Sequence, residues 1–467
     1  MKIHLSAICG TAMASLAGLL REQGHEVTGS DQDVYPPMST QLEVLGIPIR
    51  SPFAEANVPE DADLVVIGNA LSRGNPEVEV VLDRRQRFTS LPALLAEEFL
   101  RPRTSIVVAG THGKTTTTSL LAFLLHRAGL DPSFLIGGVP VDFGRSYRLG
   151  RGRHFVIEGD EYDCAFFDKR PKFVHYLPNV AVVGNVEFDH ADIYPDLAAV
   201  QLAFTRFLNV VPRKGLLVAG TESPALVELL PKARSRVETF GLHEGADWRA
   251  TDVRTGPDGS RFRLLRGGRD EGEFVLAMGG EHNVRNALAA LAAAAEAVVE
   301  PDAAREALAE FQGVKRRLEV RGEAAGVTVY DDFAHHPTAV AATLAALRAL
   351  GGTGRLVAVF EPRSYTAKTR VFQADFARAF AAADRVVVAA AHLPGKVPEG
   401  LRLSEADLAA GIRREGGDAV FIPTVDEIVR ALVADARPGD RVAILSNGGF
   451  GGIHDKLLRA LEATVHA

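Results

Sequence analysis

Short runs of apolar residues, each closed by a glycine or an acidic residue, alternate along this chain with stretches whose apolar positions fall three and four apart. The runs read as buried strands and the stretches as amphipathic helices, the alternation that builds parallel sheets flanked by helices. The first run covers 3–8 and passes through Gly10 into a helix ending near Gly24. Strands over 26–29 and 64–67 follow, the second closed by Gly68 and Asn69. A polar stretch at Arg101, Pro102 and Arg103 precedes a new strand over 105–109, so a boundary is expected between 102 and 103. The second unit holds strands over 155–157 and 181–183, a stretch over 247–274 whose glycines and alternation predict β-hairpins, and helices over 284–299 and 303–311. Gln312 and Gly313 supply its stop. Beyond it, strands over 327–330, 356–360, 385–389 and 442–445 alternate with helices. The expected fold is α/β throughout, in three domains over 1–102, 103–313 and 314–467.

Length agrees with that division, since 467 residues at roughly 150 per domain make about three. Charge narrows the partners. The 52 basic and 59 acidic residues leave a net charge of -7, without the basic surplus that phosphate neutralisation on a nucleic acid needs. The longest apolar run, near 287–295, is broken by Glu296 at about half the length of a membrane span, so no membrane segment is expected. Cys9 and Cys164 lie far apart without CxxC spacing, which predicts neither a disulfide framework nor a thiolate zinc site and fits a reducing cytoplasm.

The strongest chemical signal is the segment 105–117, where an apolar strand feeds a glycine loop, Lys114 and consecutive threonines before a helix. Such a loop cradles phosphate: main-chain N–H groups converge at the positive end of the helix, Lys114 reaches the β and γ phosphates, and Thr115 can hold Mg²⁺. The pattern departs from the general one at Val108, where glycine is usual and Gly110 is the glycine available. Glu158 ends a strand with Asp160, Glu161 and Asp163 close behind, and carboxylates at strand C-termini suit a hard cation beside the phosphates. A second acidic strand end, 185–190, carries His190, which could complete a second metal position. Gly10 with Asp31 resembles half of a dinucleotide fingerprint, but Ala12 and Ser15 stand at the later glycine positions. An oxidoreductase using nicotinamide has no need of Lys114, Thr115 and Glu158 in a separate domain. A binding protein regulated by a nucleotide would not need His190 or the third domain.

Read together, residues 110–116, Glu158 with Asp160 and Glu161, 185–190, 281–286, Arg316 with Arg317, and 331–337 resemble the Mur ligases of bacterial peptidoglycan assembly, over essentially the whole chain. Segments 30–39, 160–169, 361–364 and 446–454 look most like the murein peptide ligase branch, which joins UDP-N-acetylmuramate to L-alanyl-γ-D-glutamyl-meso-diaminopimelate. The resemblance implies an N-terminal Rossmann-like UDP-sugar domain, a central ATPase of the phosphate-loop class, and a C-terminal Rossmann-like domain that presents the peptide. It implies ATP and Mg²⁺ as cofactors and a muramoyl acyl phosphate as intermediate; a monomer or weak homo-oligomer is expected. By that likeness Gly110, Thr111, His112, Gly113, Lys114, Thr115 and Thr116 hold the phosphates, and Thr115, Glu158 and His190 the metal. His282, Asn283 and Asn286 face the adenine, while Arg317 and Asp332 approach ATP from the last domain. Gly10, Ser30, Asp31 and Asn69 line the UDP pocket, and His335, Arg363, Lys368 and Arg370 contact the peptide substrate. Lys114, Glu158, His190 and Arg317 are the expected catalytic set. Several relatives carry a carbamoylated lysine after the metal histidine, whereas no lysine lies between Lys172 and Lys214 here. The runner-up within the family adds a single L-alanine to the same sugar. In those relatives two carboxylate-clamping arginines are expected to align with Ser364 and Ala367, whose replacement would leave room for a longer amine.

Overall fold

The computed structural model describes residues 1–32, 34 and 38–465; residues 33 and 35–37 of the segment 30–39 lie outside the described residues. The N-terminal unit is a five-stranded parallel sheet in the order Ile49–Arg50, Glu26–Ser30, Lys2–Ser6, Leu64–Ile67, Phe88–Ser90. The chain reverses its winding between Lys2–Ser6 and Leu64–Ile67, so the loops after those two strands flank a crevice of the sort that binds ligands in open α/β sheets. A buried carboxylate closes the underside. Glu77 of the helix Pro76–Asp83 accepts hydrogen bonds from Ser6 at 2.6 Å and Ser30 at 2.5 Å and lies 3.8 Å from His4, tying the helix to two strand ends.

The middle sheet has ten strands. Its parallel core runs Arg236–Gly241, Leu216–Gly220, Val180–Val183, Thr104–Ala109, His154–Glu158, Ser133–Leu135. Val180–Val183 and Leu216–Gly220 are buried along their whole length, as strands covered on both faces must be. The predicted hairpins appear as Trp248–Gly256, Gly259–Arg266 and Arg269–Leu276, an antiparallel extension of one edge. The helix Lys114–Arg127, which follows the phosphate loop, packs beside the alanine-rich helix Glu281–Glu296, whose small side chains permit the close approach.

The C-terminal sheet runs Glu319–Ala324, Val327–Asp332, Arg441–Leu445, Leu356–Phe360, Arg385–Val388, Ala419–Phe421, parallel except for its first strand. Glu319–Ala324 and Ala419–Phe421 escape a reading by hydrophobic pattern, because both are edge strands with exposed or polar positions. The units meet closely. Gly18 faces the ring of Tyr147, where an added Cβ would lie 2.1 Å from Cζ, and Phe88 packs edge-on against Phe167 at 5.0 Å.

Candidate active site

Strand Thr104–Ala109 delivers its loop to the C-terminal edge of the sheet between the ends of its two neighbours, and that geometry creates the site. Gly110 and Gly113 both hold positive φ, 134° and 79°. A Cβ on Gly113 would stand 2.4 Å from Oδ1 of Asn286, so glycine is required there by conformation and by space. The loop is fastened from the neighbouring strand end: His112 N–H donates to Asn185 Oδ1 at 2.8 Å and Thr111 N–H to Asn185 O at 3.1 Å.

Lys114 folds back across the loop, donating to Gly110 O at 2.7 Å and to both carboxylate oxygens of Glu161 at 3.0 and 2.9 Å. Burial opposes its charge, but Glu161, Asp160 and Glu158 outweigh burial and hold the ammonium form. Glu161 also meets Nε2 of His190 at 2.8 Å, so one buried carboxylate joins the lysine and the histidine. Burial alone would neutralise His190; Glu161 and Asp189 raise its pKa instead. Thr115 donates to Glu158 Oε1 at 3.0 Å, and the main-chain N–H of Gly137 donates to Oε2 at 2.8 Å. Burial pushes the Glu158 carboxyl above its ordinary range despite Lys114. Asp160, which burial would raise, is held low by the Lys172 ammonium at 2.5 Å.

Between the middle and C-terminal units lies a cavity of about 300 Å³. The phosphate loop, Asn283, Asn286 and His282 line it on one side, and Arg317 and Asp332 on the other. Asn286 donates to Asn283 Oδ1 at 3.2 Å and accepts from Thr117 at 3.2 Å. Arg317 crosses between units to donate to Thr115 Oγ1 at 3.3 Å and lies over the ring of Phe333 at 4.7 Å. Asp332 is engaged by the N–H groups of Leu318 and Ala334 and by Thr343, so its carboxylate braces the wall of the cavity. Burial lowers both His282, which lines the cavity from the middle unit, and His335 of the C-terminal unit to about 4.

Other expected residues fall elsewhere. Gly10, Asp31 and Asn69 lie at the C-terminal ends of three parallel strands around the N-terminal crevice, with Asp31 accepting from Cys9 N–H at 2.7 Å. Ser30 is beside them in sequence, but its hydroxyl turns inward to Glu77 and is fully buried. In the C-terminal unit, Arg363 is half-buried 3.7 Å from Glu361, Lys368 is buried with its ammonium 3.4 Å from Leu393 O, and Arg370 is exposed. Ala367 packs inside the apolar core with no exposure. The open room for a longer amine expected at Ala367 is therefore absent, the position being filled by its neighbours in the core. Only Ser364 of the pair is partly exposed.

Sequence reasoning passed over the roles of Lys172, Glu187, His336 and Thr338. Glu187 accepts from Thr338 at 2.6 Å and stands 3.4 Å from His112, joining the phosphate loop to the C-terminal unit. The acidic strand end at 185–190 carried a signal for Glu187; nothing local linked it to Thr338, 151 residues away.

Three family models match the chain in succession: the Mur ligase family catalytic domain over residues 2–101, the Mur ligase middle domain over 108–294, and the Mur ligase glutamate ligase domain over 316–448. The chain belongs to the Mur ligase family. It is 46% identical over 470 residues to the UDP-N-acetylmuramate–L-alanyl-γ-D-glutamyl-meso-2,6-diaminoheptandioate ligase of Escherichia coli strain K12, covering 100% of both chains. It is 39% identical to the UDP-N-acetylmuramate–L-alanine ligase of an Anaeromyxobacter species, covering 99% of this chain and 98% of the other. Among solved structures, the murein peptide ligase of Psychrobacter arcticus matches with a TM-score of 0.75 at 40% identity over 99% of each chain. The alanine ligase of Thermotoga maritima matches with a TM-score of 0.82 at 24% identity, over 99% of this chain and 100% of that one, a likeness of fold. Three units with mixed α/β sheets are thus the architecture of the family.

Proposed function

We propose that the chain is an ATP-dependent ligase that joins the carboxylate of UDP-N-acetylmuramate to the amine of L-alanyl-γ-D-glutamyl-meso-diaminopimelate, in the reuse of peptidoglycan fragments. The observation that carries the ligase chemistry is the linked set of Lys114, Glu161 and His190, of which Lys114 lines a cavity bounded by two domains. Full-length similarity to the Escherichia coli enzyme supports the choice of substrates. The domain cuts at 102/103 and 313/314 are part of the proposal; each separates one sheet from the next.

The residues present fit a nucleoside triphosphate and a hard cation. The loop's glycines leave room for close approach, Lys114 keeps its charge although buried, and Thr115 and Glu158 set two oxygen ligands 3.0 Å apart. When bound, ATP supplies the phosphoryl group that turns a poorly electrophilic carboxylate into an acyl phosphate, and Mg²⁺ offsets the charge in transfer. Lys114 stabilises that charge from the loop side and Arg317 from the C-terminal side. His190, oriented by Glu161, would help hold a second metal, a site that must be completed without a carbamoylated lysine. The paired amides of Asn283 and Asn286 and the neutral ring of His282 are assigned to the adenine. Gly10, Asp31 and Asn69 are assigned to the UDP-sugar. No protein nucleophile is required, since positioned charges do the stabilising.

Incubation with ATP, UDP-N-acetylmuramate and tripeptide, followed by mass spectrometry, should give ADP and the coupled product only when all three are present. The amine is tested by the ratio of kcat/KM for the tripeptide and free L-alanine, expected to favour the tripeptide strongly. A ratio favouring alanine would overturn the substrate and leave the ligase chemistry standing.

A further inference from the structure

Three side chains, one of them the phosphate-loop residue His112, converge where the middle and C-terminal units touch. His112, Glu187 and His336 each offer one ligand atom, and the three atoms lie within 4.8 Å of one another. They come from the phosphate loop, the loop after Val180–Val183, and the N-cap of the helix Pro337–Ala349. His112 Nε2 stands 3.4 Å and His336 Nδ1 3.8 Å from Glu187 Oε2. A tetrahedral ion with bonds of about 2.0–2.1 Å spaces its ligand atoms roughly 3.3–3.5 Å apart, so these edges are close to that spacing.

The hydrogen bonding also sets the donor atoms. His336 Nε2 lies 3.2 Å from Phe188 O, which only accepts, so the proton sits on Nε2; the lone pair of Nδ1 caps the helix by accepting from the Thr338 N–H at 3.4 Å and stands 3.8 Å from Glu187 Oε2, where an ion would take it over. A ring N–H held by a carbonyl is the outer contact that metal-binding histidines make. The cavity that His112, Glu187 and Thr338 help line leaves the remaining coordination position open.

We propose that His112, Glu187 and His336 form a transition-metal site of the zinc class that pins the phosphate loop to the C-terminal unit. Two imidazoles favour zinc over Mg²⁺, whose place at Thr115 and Glu158 is built from oxygen. Cys164, Asp168 and His175 also lie within ligand spacing of one another, so the test uses full-length Cys164→Ser protein with Mg²⁺ in excess. Co²⁺ should give the visible absorption of a tetrahedral ion, displaced by Zn²⁺, and Zn²⁺ should raise the melting temperature. His336→Gln and Glu187→Gln should each weaken Zn²⁺ binding in calorimetry by about 10²-fold or more, while His190→Ala leaves the Co²⁺ spectrum unchanged. Absence of the absorption in the Cys164→Ser protein, or its persistence in the Glu187→Gln protein, overturns the site. Glu187→Gln keeps the side-chain shape and decides alone should His336→Gln not fold.

Discussion

Lys114 and His190 share Glu161, and the two ends of that shared carboxylate call for different outcomes when either is removed. Lys114→Ala deletes the charge nearest the phosphate loop and is expected to lower turnover by on the order of 10² or more. Its circular dichroism should match the parent, since Glu161 keeps His190. Near-normal turnover would remove Lys114 from the transfer step. His190→Ala leaves Thr115 and Glu158 in place, so ATP should still bind in calorimetry while ligation is greatly slowed. Loss of ATP affinity with normal chemistry in the remaining complex would reverse the assigned role. Both residues could be singled out by motif because a loop lysine and a strand-end histidine are local features. Lys172, which holds Asp160, could not be, since only the folded hairpin Asp163–Ala165 and Asp168–Pro171 carries it back beside that carboxylate.

Element ends carry the next set of constraints. The helix Lys114–Arg127 begins at Gly113 in the left-handed region, where alanine costs roughly 1–2 kcal/mol. Gly113→Ala must also displace Asn286, so it is expected to lower the melting temperature and weaken nucleotide binding together. Unchanged binding in that variant would separate the loop from the Asn283 and Asn286 pair. In the N-terminal unit, Glu77 fastens the helix Pro76–Asp83 to two strand ends. Burial would raise its carboxyl, but hydrogen bonds from His4, Ser30, Ser6 and Asn57 bring it from the ordinary 4.5 down to about 2. A depressed carboxylate stabilises above its unfolded pKa, and the contribution, on the order of 3 kcal/mol, is lost as pH falls from about 4.5 through about 2. The gap in urea midpoint between the parent and Glu77→Gln should therefore be large at pH 6 and smaller at pH 3. A gap that does not change with pH would show that Glu77 acts only through packing.

At the scale of the whole molecule, the cavity has walls from two units and its contents depend on their docking. Arg317 meets Thr115, Thr338 meets Glu187, Thr366 accepts from the N–H of Ala191, and His336 meets Phe188 O, so several hydrogen bonds latch the C-terminal unit to the middle unit. Release of product is expected to open these contacts. Small-angle scattering should show a smaller radius with an ATP analogue and both substrates than with protein alone, approaching the docked arrangement. One radius across all ligand states would count against closure. No helix among the described residues is long and apolar enough to cross a membrane.

Order and type of the elements follow from the chain alone, because strand and helix periods and glycine loops express themselves over a few residues. The strands around 3–8, 105–109 and 356–360, the hairpins in 247–274 and the phosphate loop were all legible in this way. The edge strands Glu319–Ala324, mostly polar, and Ala419–Phe421, only three residues long, were not, since a neighbour on one side defines them more than their own pattern does. Partnership was decided only by tertiary structure. Ser30 belongs to Glu77 rather than to the crevice, Ala367 to the core rather than to the substrate space, and Glu187 to His112 and Thr338 across two domains. Arg317 reaches Thr115 over a separation of 202 residues. Such contacts depend on sheet register and on how units dock, and a one-dimensional pattern carries no information on which distant groups those will bring within hydrogen-bonding distance.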